Sequence, residues 1–209
     1  VDRACRTGRS YEDFKRYLET HDEPNVVQMD TVEGIKGGSN LMTLYFQSSG
    51  LMLAFKRPLN NARSVLEIMN TLYSKLGHET YAHLFEVLLT DNGYEFSNPN
   101  ALEFTGEGQR RSHLFYCDPA SPYQKGACER NHELIRAFIP KHTNFNPYSQ
   151  EQINLMMSHI NSYARKKLNN KSPAYLFSLL ESPRLLAILE VEIIPPNQIH
   201  LSSKLFIQR

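Results

Sequence analysis

No apolar run in this chain is long enough to cross a membrane, and no signal-peptide pattern opens it. The three cysteines, Cys5, Cys117 and Cys128, are odd in number and form no Cys-x-x-Cys pair. That argues against a disulfide framework or a structural zinc and favours a reduced, intracellular protein. The eight histidines are scattered, and His-Glu-x-x-His does not occur. Charge of one sign is also missing. A net charge of +1 does not announce a nucleic-acid binder, so any such affinity must come from local patches or a domain elsewhere. The chain opens on Val1 rather than Met, which points to a piece of a longer protein. Internal repeats and low-complexity tracts are absent.

What is there is an ordinary globular composition. The 209 residues suit one large domain, or a domain with an appendage, and 41% hydrophobic content is enough for a packed core. Residues 1–24 read as a basic lead and a short helix capped by Ser10 and ended by Pro24. Residues 25–33, 41–47 and 51–57 read as three strands of an antiparallel meander. A helix follows from Asn60 or Asn61 to about Leu76, where Gly77 stops it. Residues 84–90 form a short apolar strand of the buried parallel type, ending at Asp91-Asn92-Gly93. A polar loop over 104–111 leads to a fifth strand, 112–117. Helices are expected at about 124–138, 149–167 and 173–180, with an appended helix and extended tail over 183–209. The order β-β-β-α-β-α-β-α resembles the ribonuclease H-like arrangement. The expected class is therefore α/β, a five-stranded mixed sheet flanked by helices, with a helical C-terminal extension.

Three acids stand out by their neighbours. Asp30 lies inside an apolar strand, where Asp is disfavoured unless something binds it. Asp91 ends the fourth strand. Glu129 lies on the helix after the fifth strand, on the face of Lys125, Glu133 and Arg136. The opposite stripe, Ala127, Asn131, Leu134, Ile135 and Phe138, should pack on the sheet. A shared divalent cation would account for such acids, because Mg²⁺ takes hard oxygen ligands. Each acid also has a plainer reading: a salt-bridged strand acid for Asp30, a turn former for Asp91, an exposed helical ion pair for Glu129. Glu133 is the rival third acid, Glu95 reads as a solvated turn acid, and Asp118 before Pro119 reads as a turn residue.

The set resembles the acidic triad of DDE transposases and retroviral integrases. Asp91-Asn92-Gly93-x-Glu95-Phe96 is similar to the second-acid motif of that superfamily. Pro122-Tyr123-Gln124-Lys125-Gly126-x-x-Glu129-x-x-His132 is similar to its third-acid motif. Asn169-Asn170-Lys171-Ser172-Pro173-Ala174-Tyr175-Leu176-Phe177 resembles an Asn-x-x-Pro-x-x-x-Phe element near the end of such cores. The nearest resemblance is to bacterial insertion-sequence transposases of the IS-thirty group, over roughly residues 25–180. It implies an integrase-like catalytic core at 25–180, between the lead of 1–24 and an extension of 181–209. It also implies metal-dependent DNA cleavage and strand transfer, with Asp30, Asp91 and Glu129 holding Mg²⁺ (Mn²⁺ substituting), two ions in all. Asp30 would bridge both ions, Asp91 would bind one and Glu129 the other. The partners would be element-end and target DNA and further copies of the chain, in a bacterial cytoplasm close to the nucleoid. A helix-turn-helix segment would precede Val1.

Around the third acid, Tyr123, Gln124, Lys125, Arg130, His132 and Arg136 are the candidate DNA contacts. Three basic groups elsewhere could meet phosphates: Arg3, Arg6 and Arg9; Arg110 and Arg111; and Arg165, Lys166, Lys167 and Lys171. A solvated surface is the plain alternative for each. The tail over 185–205 serves either assembly or its own core. Two other functions fit the same residues: a ribonuclease H-like nuclease that cuts without joining, and a catalytically silent DNA-binding or oligomerising module.

Overall fold

A computed structural model describes residues 3–206, with the side chains of Arg3, Ala4, Pro122 and Ala127 outside that description. The helices in chain order are α1 (Tyr11–Thr20), α2 (Ala62–Leu76), α3 (His78–Leu84), α4 (Pro99–Glu103), α5 (Gly126–Phe138), α6 (Gln150–Ser162), α7 (Pro173–Leu180) and α8 (Pro183–Ile188). The strands are β1 (Val26–Val32), β2 (Asn40–Phe46), β3 (Met52–Arg57), β4 (Val87–Thr90) and β5 (His113–Tyr116). They form one five-stranded sheet in the order β3-β2-β1-β4-β5. β2 and β3 are antiparallel, whereas β1, β4 and β5 run parallel. The sheet is mixed and flanked by helices, as the element order implied. No helix among the described residues is long and apolar enough to cross a membrane.

The chain forms two compact units. One comprises residues up to Asp30 together with Asn60–Gly126; the other comprises Thr31–Leu59 and the residues from Ala127 onward.

In the first unit, Phe14 of α1 is buried with Val26, Val87, Leu89 and Phe115, its ring 5.8 Å from that of Phe115. The lead therefore packs on β5 instead of hanging free. Its helix starts at a capping box, in which Ser10 Oγ accepts from the Asp13 N–H and the Asp13 carboxylate accepts from the Ser10 N–H. β5 is an outermost strand, and its outward amides are covered from within the unit. The Leu114 N–H donates to Glu103 Oε1 (3.0 Å) and the Tyr116 N–H to the Arg9 carbonyl (2.8 Å). Arg9 and Glu103 are themselves ion-paired.

The second unit is built around β2, every residue of which is buried. Leu41, Ile135, Phe138, Ile153, Met156 and Ile160 share its core. Helix α6 packs on β3, the other outermost strand, and closes it with two amide side chains. Asn161 accepts from the Met52 N–H (3.0 Å) and donates to the Met52 carbonyl (2.8 Å). Gln150 accepts from the Lys56 N–H (2.8 Å) and donates to the Ala54 carbonyl (2.9 Å). The tail returns to this same core through Leu201, Leu205 and Phe206.

Three boundaries differ from expectation. Residues 78–84 are helical, so β4 starts at Val87; Gly77, at φ +77°, ends α2 and is followed at once by α3. Helix α6 stops at Ser162, well short of 167. Arg165–Lys171 instead folds into a bridged turn, with Asn169 and Asn170 at φ 52° and 60°. The helix expected from 124 starts at Gly126, after a 3₁₀ turn over Pro122–Lys125.

Candidate active site

In the first unit the sheet register brings two of the acids together. Val26 pairs with Val87, Val27 with Leu88 and Gln28 with Leu89, an offset of 61 residues. The same 61-residue offset separates Asp30, in β1, from Asp91, the residue that follows the end of β4 at Thr90. Neighbouring residues on adjacent strands lie about 5 Å apart with their side chains on one face. Two carboxylates so placed repel each other unless a cation sits with them.

Lys125 supplies one. Its Nζ lies 3.1 Å from Asp30 Oδ2 and 3.2 Å from Asp91 Oδ2, and donates to the Met29 carbonyl at 3.4 Å. The side chain of Lys125 is 6% exposed, that of Asp30 14% and that of Asp91 46%, so access to the pair is from the Asp91 side. Asp91 is pinned at its other oxygen: the Gly93 N–H donates to Oδ1 at 2.9 Å. Asn92 donates to the Cys117 carbonyl (2.8 Å), tying this turn to the end of β5. Beside the pair, burial pushes the Cys117 thiol up to about 11, with Lys125 opposing the shift, so it stays protonated at neutral pH.

Gln124 is buried. Its side chain accepts from the Asp118 N–H (2.8 Å) and donates to the Asp118 carboxylate (2.9 Å). Tyr123 is 78% exposed. Glu95, expected in solvent, is buried. Arg111 is buried too, donating to the Leu102 and Ala101 carbonyls and to Asn70. Arg6 donates to the Asn92 carbonyl and Arg9 pairs with Glu103, so both are internal ties. The side chain of Arg3 lies outside the described residues.

In the second unit, Glu129 is exposed in the first turn of α5, where a helix N-terminus favours negative charge. Ile135 and Phe138 of α5 are buried as its apolar stripe required, while Ala127's side chain lies outside the described residues. Lys125 does not share the exposed face assigned to it, because it precedes α5 and points inward. Arg130 is exposed. His132 is half-buried, with Nε2 2.9 Å from Thr43 Oγ1 and 3.5 Å from Cys128 Sγ. Arg136 donates to the Glu33 carbonyl at 2.8 Å. Arg130, Tyr163, Lys166 and Lys167 line an open pocket of about 430 Å³. Arg165 is held there by Asn131 and the Ile160 carbonyl.

Over 144 residues, 69% of this chain, the sequence is 32% identical to the transposase for insertion sequence element IS1086 of Cupriavidus metallidurans. It is 31% identical over 144 residues to the transposase InsI for insertion sequence element IS30C of Escherichia coli K12. The chain is homologous to insertion-sequence transposases. It spans 40% and 35% of the length of these two relatives. No protein-family model matches it. The fold is similar to the catalytic core domain of BIV integrase, with a TM-score of 0.51 at 17% identity, covering 77% of this chain and 97% of that one. The chain thus has the fold of a retroviral integrase core, which is ribonuclease H-like.

The donor chemistry of the acidic pair fits a divalent cation. Two carboxylates, one in β1 and one just past the end of β4, already converge on one cationic point, and their hard oxygens are the donors Mg²⁺ takes. Sequence reasoning found these acids from their neighbours in the chain. It missed the inward turn of Lys125, because the helix expected from about 124 starts only at Gly126 and Lys125 belongs to the 3₁₀ turn before it.

Proposed function

We propose that this chain is the catalytic core of a DDE transposase, cutting DNA by water attack and joining a 3′-hydroxyl to a phosphodiester. Asp30, Asp91 and Glu129 are the carboxylates that would hold two Mg²⁺ ions, with Mn²⁺ substituting. When bound, such ions stabilise the attacking and leaving oxygens of an in-line displacement. The observation that carries the reading is the convergence of Asp30 and Asp91, near the ends of parallel neighbouring strands, on the shared cation of Lys125. The Gly93 N–H fixes one Asp91 oxygen and so orients the other. Glu129 follows Lys125 by four residues, and backbone length alone ties the two within about 14 Å.

Exposed Tyr123 would stack on a base, and exposed Arg130 would meet a phosphate. Within this reading the catalytic core is residues 25–180, supported by the lead of 1–24 and the extension of 181–209. Its substrates are element ends and target DNA, bound by several copies of the chain in a bacterial cytoplasm.

The test uses the purified chain, plasmid DNA and Mn²⁺ binding followed by electron paramagnetic resonance. Asp30→Asn and Asp91→Asn should abolish Mn²⁺ binding. These two and Glu129→Gln should each lower strand cleavage by about 10²–10³-fold with the circular dichroism unchanged. Glu133→Gln should remain close to wild type. Wild-type Mn²⁺ binding and cleavage in both Asp variants would overturn the reading; cleavage without any joined product would replace it with the nuclease.

A further inference from the structure

We propose that Lys125 is a built-in counter-cation, which the Asp30–Asp91 pair must release before it can take a divalent ion. The inference rests on the metal-binding reading above. It begins from the sheet: β1 and β4 run parallel, Asp91 directly follows β4, and both carboxylates reach one point, where such a pair calls for a positive charge. Lys125 meets the need almost symmetrically, at 3.1 and 3.2 Å, from a side chain that is 6% exposed.

Its backbone is held for the purpose. The 3₁₀ turn over Pro122–Lys125 is anchored by Gln124, whose amide pairs with Asp118 and whose carbonyl accepts from Gln28 at 3.4 Å. The anchored turn aims Lys125 inward, and its flexible four-carbon stem still lets the ammonium withdraw. Withdrawal is required, because a divalent ion bound to the same oxygens would lie beside the ammonium and be strongly repelled by it. Asp91, nearly half exposed, offers the approach. Lys125 is therefore a positioning residue. It keeps the carboxylates aligned in advance and lowers their apparent affinity by the fraction of time it occupies them.

The experiment is a Mn²⁺ titration of the wild-type chain, Lys125→Met and Lys125→Gln, read by electron paramagnetic resonance. Thermal melts without and with Mn²⁺ accompany it. The neutral variants should bind Mn²⁺ about tenfold more tightly than wild type, as expected if the ammonium occupies the pair about nine-tenths of the time. They should melt lower without the ion and gain more from adding it, a split that a purely structural role would not give. Folded variants with equal or weaker Mn²⁺ affinity would overturn the proposal, and Lys125→Gln decides the matter should Lys125→Met not fold. If wild type binds and both variants bind equally, only this inference fails. If neither the wild type nor the variants bind Mn²⁺, the metal-binding reading fails with it.

Discussion

A Cβ placed on Gly93 would lie 2.5 Å from Glu95 Oε2 and 3.0 Å from Asp91 Oδ1. The backbone there, at φ −56°, suits any residue, so the need for glycine is one of space. Glu95 is buried and has little room to retreat. Gly93→Ala should therefore cost about 1–3 kcal/mol by crowding. It should also shift Asp91, seen as weakened Mn²⁺ binding; an unchanged melting temperature and unchanged binding would contradict this. At this scale the two acids that meet at Lys125 were legible as unusual, because Asp30 in an apolar strand and Asp91 before Asn-Gly stand out chemically. Which way a charged side chain turns was not legible. Lys125, Arg9 and Arg111 read as surface cations, yet each closes an internal ion pair or a set of carbonyls. Local spacing carries no record of partners 86 to 96 residues away, as with Arg6 and Asn92 or Lys125 and Met29.

Elements that advertise their own ends were read well. Ser10 and Asn61 cap helices as expected, and Ser149 and Ser172, at the starts of the next two expected helices, prove to be caps as well. Helix α3 was not foreseen, since its seven residues begin directly after the glycine that ends α2. Helix α6 was read too long because the basic run after it has good helical propensity; the left-handed Asn169 and Asn170 instead close a turn. The same helix bears the clearest stability test. Asn161 is fully buried and serves both backbone groups of Met52. Asn161→Ala leaves a buried donor and acceptor unpaired, an expected loss of about 2–4 kcal/mol in urea unfolding. A loss below about 0.5 kcal/mol would mean that the strand edge is satisfied in some other way.

For the molecule as a whole, the +1 net charge means that the DNA affinity proposed above must be local. With Arg6, Arg9, Arg111 and Arg165 engaged internally, Lys166 and Lys167 are exposed cations of the pocket that also holds Arg130 and Tyr163. A Lys166→Glu/Lys167→Glu double variant should bind duplex DNA about tenfold more weakly by fluorescence anisotropy. Its log–log salt dependence should be shallower by one to two units. Unchanged affinity would remove this face from the DNA interface. The five strands were legible because each carries its own hydrophobic signature and turn. The covering of the sheet's two flanks was not, because it depends on Glu103, Arg9, Gln150 and Asn161 meeting strands far away in sequence. That covering limits how molecules can gather. Where these groups stitch the outermost strands, among the described residues, a neighbouring molecule meets backbone that is already bonded, which steers copies that assemble toward helices, loops or a nucleic acid that they share.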